Sequence, residues 1–299
     1  MKIIKTHEEE LEAWNCSSNL QILAVTGIPG LGKSTMIKNF CQKRFDSTMY
    51  FSPTSSTLNP NNFFAIPNIS LSAKERYEKT EICKTLVDSN IKRIAVIIDD
   101  VQDIISDDGI KNFTVILKSL IEGKIRLTHS EYDFSDKEIK ICIISNTFNR
   151  SSLMKFYNSG FVLTADIRRR IDLNIIFEYE SERYLEIIKA EIETFAPTRA
   201  KEIIENVNWV LLIGLVDDIH NRFSDNIDFP MCITPKHWVN FLLLAYSANL
   251  NDKNMLKVIK STLVTNRNTG SLQENDIISI LCQDKKRNIF NIFINRDTK

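Results

Sequence analysis

Residues 27–34 read Gly-Ile-Pro-Gly-Leu-Gly-Lys-Ser, a match to the phosphate-loop pattern G-x-x-x-x-G-K-[S/T]. This octapeptide constrains the fold more than any other segment, because its mechanics need a strand before it and a helix after it. Both are legible. Leu20 to Val25 is an apolar run with one polar interruption and reads as a short buried strand, and Ser34 to Gln42 reads as a helix. Loop amides and the positive end of the helix dipole then make a pocket for a polyphosphate. Lys33 is placed to reach the β and γ phosphates, Ser34 to hold Mg²⁺, and Gly27, Gly30, Gly32 and Thr35 to complete the cradle. The chain has only 8 glycines in 299 residues. Three of them in one loop are hard to assign to chance.

A second chemical signal follows about 65 residues on. Ile94-Ala95-Val96-Ile97-Ile98 is an uninterrupted apolar strand ended by Asp99 and Asp100. In an open parallel sheet ligands bind at the carboxyl ends of strands, so these acids face the phosphates. Asp99 is assigned to the metal and Asp100 to polarising the attacking water. Ile139 to Ser145 is another apolar strand, and Asn146 at its end can bond the γ-phosphate or its water.

Around these strands the periodicity predicts helices over Thr6–Trp14, Lys74–Asn90 and Asn112–Glu122, and strands over Thr48–Phe51 and Asn174–Phe177. Ser52–Ser72, with its prolines, Asn and Ser, reads as a surface excursion. Lys124–Thr128 alternates polar and apolar residues, and the chain from Ile139 onward is expected to return antiparallel to it as a hairpin. Beyond Ser181 only helical patterns remain: Glu182–Phe195, Thr198–Asn206, Asn208–Phe223, Pro235–Leu250 and Asp252–Thr265. Apolar strands alternating with helices imply a parallel sheet covered on both faces. The expected division is an α/β domain over 1–178 and a helical region over 179–299.

Bulk properties narrow the partners. Formal net charge is zero, so any surface for nucleic acid is a local patch. No apolar run approaches the roughly 18 residues of a membrane span, and the acidic, amphipathic start is not a signal peptide. The six cysteines, Cys16, Cys41, Cys83, Cys142, Cys232 and Cys282, contain no C-x-x-C pair. That spacing argues against a zinc site or a disulfide framework and for reduced thiols in a cytoplasmic setting.

The four elements, taken in order, resemble the AAA+ ATPase family over residues 20–178 and more loosely beyond. By that resemblance the fold is α/β, a three-layer P-loop NTPase with a parallel sheet and a C-terminal all-helical lid. Gly27–Ser34 is similar to Walker A, Asp99-Asp100 to the end of Walker B, and Asn146 to sensor 1. Arg170, in Arg168-Arg169-Arg170-Ile171-Asp172, matches the arginine finger, with Arg169 as the fallback. Lys236 in Ile233-Thr234-Pro235-Lys236-His237-Trp238 stands where the family carries sensor 2, although Thr-Pro is also a complete helix start. Most members end Walker B in Asp-Glu and carry Arg at sensor 2. The resemblance implies ATP with Mg²⁺, hydrolysis, and a homo-oligomeric ring, such as a hexamer, in which the finger acts on a neighbouring subunit.

The hairpin before the sensor strand is similar to that of superfamily 3 helicases of viruses and mobile elements. Lys124, Arg126 and His129 would then grip single-stranded nucleic acid, although Glu131, Asp133, Asp136 and Glu138 follow at once. Two alternatives stand beside this motor or loader. One is an AAA+ protein remodeller. The other is a STAND-type nucleotide switch, since Ile97-Ile98-Asp99-Asp100-Val101 also resembles the kinase-2 strand of those proteins.

Overall fold

The computed structural model describes residues 2–53, 59–67, 77–101, 104, 107–127, 130–146, 169–223, 233–247, 252–264, 271–282 and 288–293. Internal contacts divide the chain into two units. The first runs to Thr26, resumes over Lys33–Asn146 and ends at Phe177. The second holds Gly27–Gly32 and the chain from Glu178 onward. The six loop residues group with the helical unit through their contacts.

The first unit is built on a five-stranded parallel sheet. Helix α1 (Lys2–Cys16) leads into β1 (Ile22–Gly27), and α2 (Lys33–Arg44) and β2 (Ser47–Phe51) follow. After β5 (Arg93–Ile98) come α5 (Asp107–Glu122), β8 (Glu138–Asn146) and β9 (Ile171–Phe177). The order across the sheet is β2-β5-β8-β1-β9. Every residue of β1 is buried, as are Ile94–Ile98 of β5 and Ile139–Ser145 of β8. Strands covered on both faces must be continuously apolar, which is why these runs were readable.

One buried residue in β8 breaks the pattern. Lys140 is 1 % exposed, and its ammonium donates to the backbone carbonyls of Leu20, at 2.7 Å, and Ser17. Burial pushes its proton affinity below the ordinary lysine range.

Three expectations fail in this unit. The stretch after Phe51 is not only a surface excursion. Helix α3 (Pro60–Phe64) and β3 (Ala65–Pro67) put Phe63, Phe64 and Ala65 into the core. Phe63 packs edge-on against both Phe51, at 4.9 Å, and Phe64, at 4.7 Å. Prolines punctuated the segment, but the two aromatic side chains outweigh them. The helix read from Lys74 covers only α4 (Glu81–Val87), because β4 (Tyr77–Lys79) pairs antiparallel with β3. Thr80 starts that helix by accepting from the Cys83 amide at 3.2 Å. The hairpin is closed by β6 (Lys124–Leu127) and β7 (Ser130–Asp133), not by the chain from Ile139. That later strand pairs parallel to β5 in the sheet. Gly123 ends α5 with φ +68, and its carbonyl accepts from the Phe134 amide at 2.8 Å at the base of the hairpin.

In the second unit α6 (Ser181–Phe195), α7 (Ala200–Asn206), α8 (Trp209–Phe223), α9 (Pro235–Ser247), α10 (Asp252–Thr262) and α11 (Ser271–Cys282) surround their own core. Ile188, Ile192, Leu212, Trp238, Phe241, Leu242 and Ile259 are fully buried in it. Helix α11 had no counterpart in the sequence reading. Among the described residues no helix is long and apolar enough to cross a membrane.

Candidate nucleotide site

The sheet order puts β8 between the acid-bearing β5 and the loop-bearing β1. Asn146, the last residue of β8, therefore lies between the two chemical segments, and its amide bonds to both. The Lys33 ammonium donates to Asn146 Oδ1 at 2.9 Å, and Asn146 Nδ2 donates to Asp100 Oδ1 at 2.9 Å. Lys33 is only 4 % exposed at the first turn of α2, where the helix dipole favours anions. Ser34 beside it is half-buried and Thr35 is exposed.

Asp99 is 5 % exposed, with both carboxylate oxygens held. Oδ1 accepts from the Asp100 amide at 2.9 Å, and Oδ2 accepts from the Tyr50 hydroxyl at 2.7 Å. Burial first, and then this bond to a carboxylate, push the Tyr50 hydroxyl pKa up. Asp100 takes φ +54, a left-handed conformation that Asp tolerates better than most side chains. The turn it makes sends its side chain to Asn146.

The glycines answer to two different constraints. Gly32, at φ +74, has open space where a Cβ would stand, so its demand is conformational. Gly30, at φ +82, is also sterically closed: a Cβ there would sit 2.6 Å from Pro235 Cδ and 3.2 Å from Thr234 Cβ. Within the same unit Arg183 of α6 donates to the Leu31 carbonyl at 3.2 Å. Its guanidinium is half-buried, and that burial lowers its pKa. Lys236 is exposed in the first turn of α9, one residue after Pro235.

The donor set fits Mg²⁺. Asp99 and Ser34 offer hard oxygens, and each Asp99 oxygen keeps a lone pair beyond its present bond. Mg²⁺ usually takes one or two carboxylates and leaves its other positions to water and substrate phosphates. Among the described residues no cluster of three or more His, Cys, Asp or Glu gathers to hold an ion by itself.

Arg169 and Arg170 are exposed in the turn before β9. Asp172 in that strand accepts from the amides of Gln21, at 2.7 Å, and Ile22, at 2.8 Å, at the start of β1. The arginines therefore stand at the amino end of β1, about 17 Å along the strand from its carboxyl end. Arg168 and His129 lie outside the described residues. In the hairpin Lys124 pairs with Asp133 at 3.1 Å and Arg126 with Glu131 at 3.0 Å, each directly across the ladder.

Tyr50, Arg183 and His237 were not picked out as site or capping residues from sequence. A hydroxyl on an edge strand becomes informative only when strand order puts β2 beside β5, and an arginine on a later helix gives no local sign of its partner.

A phosphate-loop sequence after a buried interior strand, with an amide and acids at the ends of the strands beside it, defines a parallel α/β fold of the P-loop kind. Its solved structural neighbours include three single-substitution variants of RuvB from Thermotoga maritima. The first has a TM-score of 0.49 and 14% identity, covering 93% of this chain and 74% of that one. The second has 0.47 and 12%, covering 94% and 76%, and the third has 0.45 and 14%, covering 87% and 68%. No protein-family model and no curated protein sequence matches the chain.

Proposed function

We propose that this protein is a Mg²⁺-dependent ATP hydrolase of the AAA+ class that works as a homo-oligomer. The observation that carries the reading is the bonded series Lys33–Asn146–Asp100. It gathers, at neighbouring strand ends, a cation for the phosphates, an amide for the γ-phosphate or its water, and a carboxylate to polarise that water. Hydrolysis is in-line attack of water on the γ-phosphorus, with ADP as leaving group and Lys33 offsetting the charge on the transferred group. Ser34 and Asp99 would hold Mg²⁺, which would supply positive charge to the phosphate oxygens. Arg170 stands at the far end of β1, which supports the reading that it serves the site of a neighbouring subunit. The loop glycines and the exposed Lys236 complete the nucleotide contacts. Lys33→Ala abolishes nucleotide binding or turnover in a phosphate-release assay, and unchanged turnover in that variant refutes the assignment.

For the work done with ATP, the first reading is a motor or loader on single-stranded nucleic acid in replication of a virus or mobile element. The hairpin of β6 and β7 just ahead of the sensor strand supports it, as in superfamily 3 helicases. Exposed ion pairs contribute at most about 1 kcal/mol, so phosphates can compete for Lys124 and Arg126. The cross-strand pairing of those two residues with acids favours a second reading, a protein remodeller whose hairpin engages polypeptide. Turnover measured with single-stranded DNA, single-stranded RNA and an unfolded polypeptide separates the two. Stimulation by none of them, with ADP retained, identifies a STAND-type switch.

A further inference from the structure

Asp99 is the acid assigned to the metal side, and its carboxylate is not left to orient itself. β2 lies at the edge of the sheet beside β5, in parallel register with Tyr50 opposite Ile97 and Phe51 opposite Ile98. That register carries the Tyr50 hydroxyl to Asp99 Oδ2 at 2.7 Å. The other oxygen takes the Asp100 amide, so the plane of the carboxylate is defined from two sides. The tyrosine ring is held in turn. Lys38 of α2 places its ammonium 3.2 Å from the ring centroid. Lys38 is one turn after Ser34, so both project from the same face of α2. The helix that offers the metal a hydroxyl thus also steadies the ring that aims the carboxylate. Tyr50 is 42 % exposed, and an exposed aromatic ring on an edge strand is not explained by core packing.

We propose that Tyr50, steadied by Lys38, is a positioning residue that fixes the Asp99 carboxylate for the divalent ion of the nucleotide complex. The proposal rests on the assignment of Asp99 to the metal. Partners behind a metal ligand set its orientation, and their loss typically lowers metal affinity by about 10- to 100-fold. A water can replace the Tyr50 hydroxyl as a donor to this buried carboxylate but not its fixed direction.

The test is Mn²⁺ affinity in the presence of ADP, read by electron paramagnetic resonance on the full chain, beside ADP affinity in EDTA. Tyr50→Phe keeps the ring and the Lys38 contact and removes only the hydroxyl. It is expected to weaken Mn²⁺ binding by at least about tenfold and to leave metal-free ADP affinity within twofold. Mn²⁺ affinity within twofold of the parent overturns the proposal, as does an equal loss of ADP affinity in EDTA, which marks a merely structural role. Asp99→Asn separates the two failures. If Asp99→Asn loses Mn²⁺ and Tyr50→Phe does not, the positioning role alone falls. If neither loses it, the metal assignment itself falls.

Discussion

Asn146 shows how much one side chain can carry. A side-chain amide has a donor end and an acceptor end, so it can join a cation to a carboxylate, as it does between Lys33 and Asp100. Asp at that site would repel Asp100, and Ser would be too short to span both. Asn146→Ala removes both of these bonds to charged groups in a part-buried setting. We expect a stability loss of about 1–3 kcal/mol in chemical denaturation. Turnover falls while nucleotide binding persists, because the loop that holds the phosphates is untouched. An unchanged denaturation midpoint together with full turnover refutes both parts. Lys33, Asp100 and Asn146 could each be picked out from the sequence, since each ends or follows a recognisable run. The hydrogen bonds among them were not, because they span 113 and 46 positions of chain.

Among the elements, the start of α9 has the clearest logic. Thr234 and Pro235 were readable as cap and first turn. His237 completes them: its Nδ1 accepts from the Thr234 amide at 3.0 Å and lies 2.9 Å from the Thr234 hydroxyl. This is the reciprocal half of a capping box, with histidine in place of Glu or Gln. The bond needs an unprotonated Nδ1. Burial, with the Lys236 charge second, holds the His237 pKa below the ordinary histidine value. The folded chain therefore refuses a proton that the unfolded chain accepts near pH 6.5, and stability falls as pH drops below that value. His237→Gln keeps the acceptor and cannot titrate. Its unfolding midpoint is expected to equal that of the parent at pH 8 and to exceed it at pH 5.5, by about 1 kcal/mol. Parallel pH profiles of the two proteins would remove histidine from the cap. The segment between β2 and α4 teaches the opposite lesson. Prolines and asparagines marked it as loop, yet Phe63 and Phe64 decide its place by burying against the sheet unit. Local turn chemistry loses to apolar area wherever two aromatic rings can reach a core.

For the whole molecule the informative contrast is Arg170 against Lys33. They mark opposite ends of β1, and an arginine side chain cannot cover the length of a strand. A site that uses both must draw them from two copies. Arg170→Ala is expected to bind nucleotide normally and to lose about 10³-fold or more in turnover. Mixed with Lys33→Ala subunits it should recover activity, since a mixed interface pairs an intact loop from one variant with an intact arginine from the other. Mixtures no more active than either variant alone would place the finger elsewhere and remove the main support for a ring.

Local chemistry was enough to announce the loop, the buried strands, the acids that end one of them and the helical region that follows. Each depends on neighbours in the chain: glycine dihedrals, apolar runs, caps and helix starts. Tertiary structure alone decided that β8 lies between β5 and β1, that Tyr50 reaches Asp99, and that the hairpin closes on Ser130–Asp133. It also decided that Gly27–Gly32 group with the helices through Arg183 and Pro235. These are pairings between segments far apart in the chain. They are selected by which apolar faces bury together, and no local run of residues encodes its distant partner.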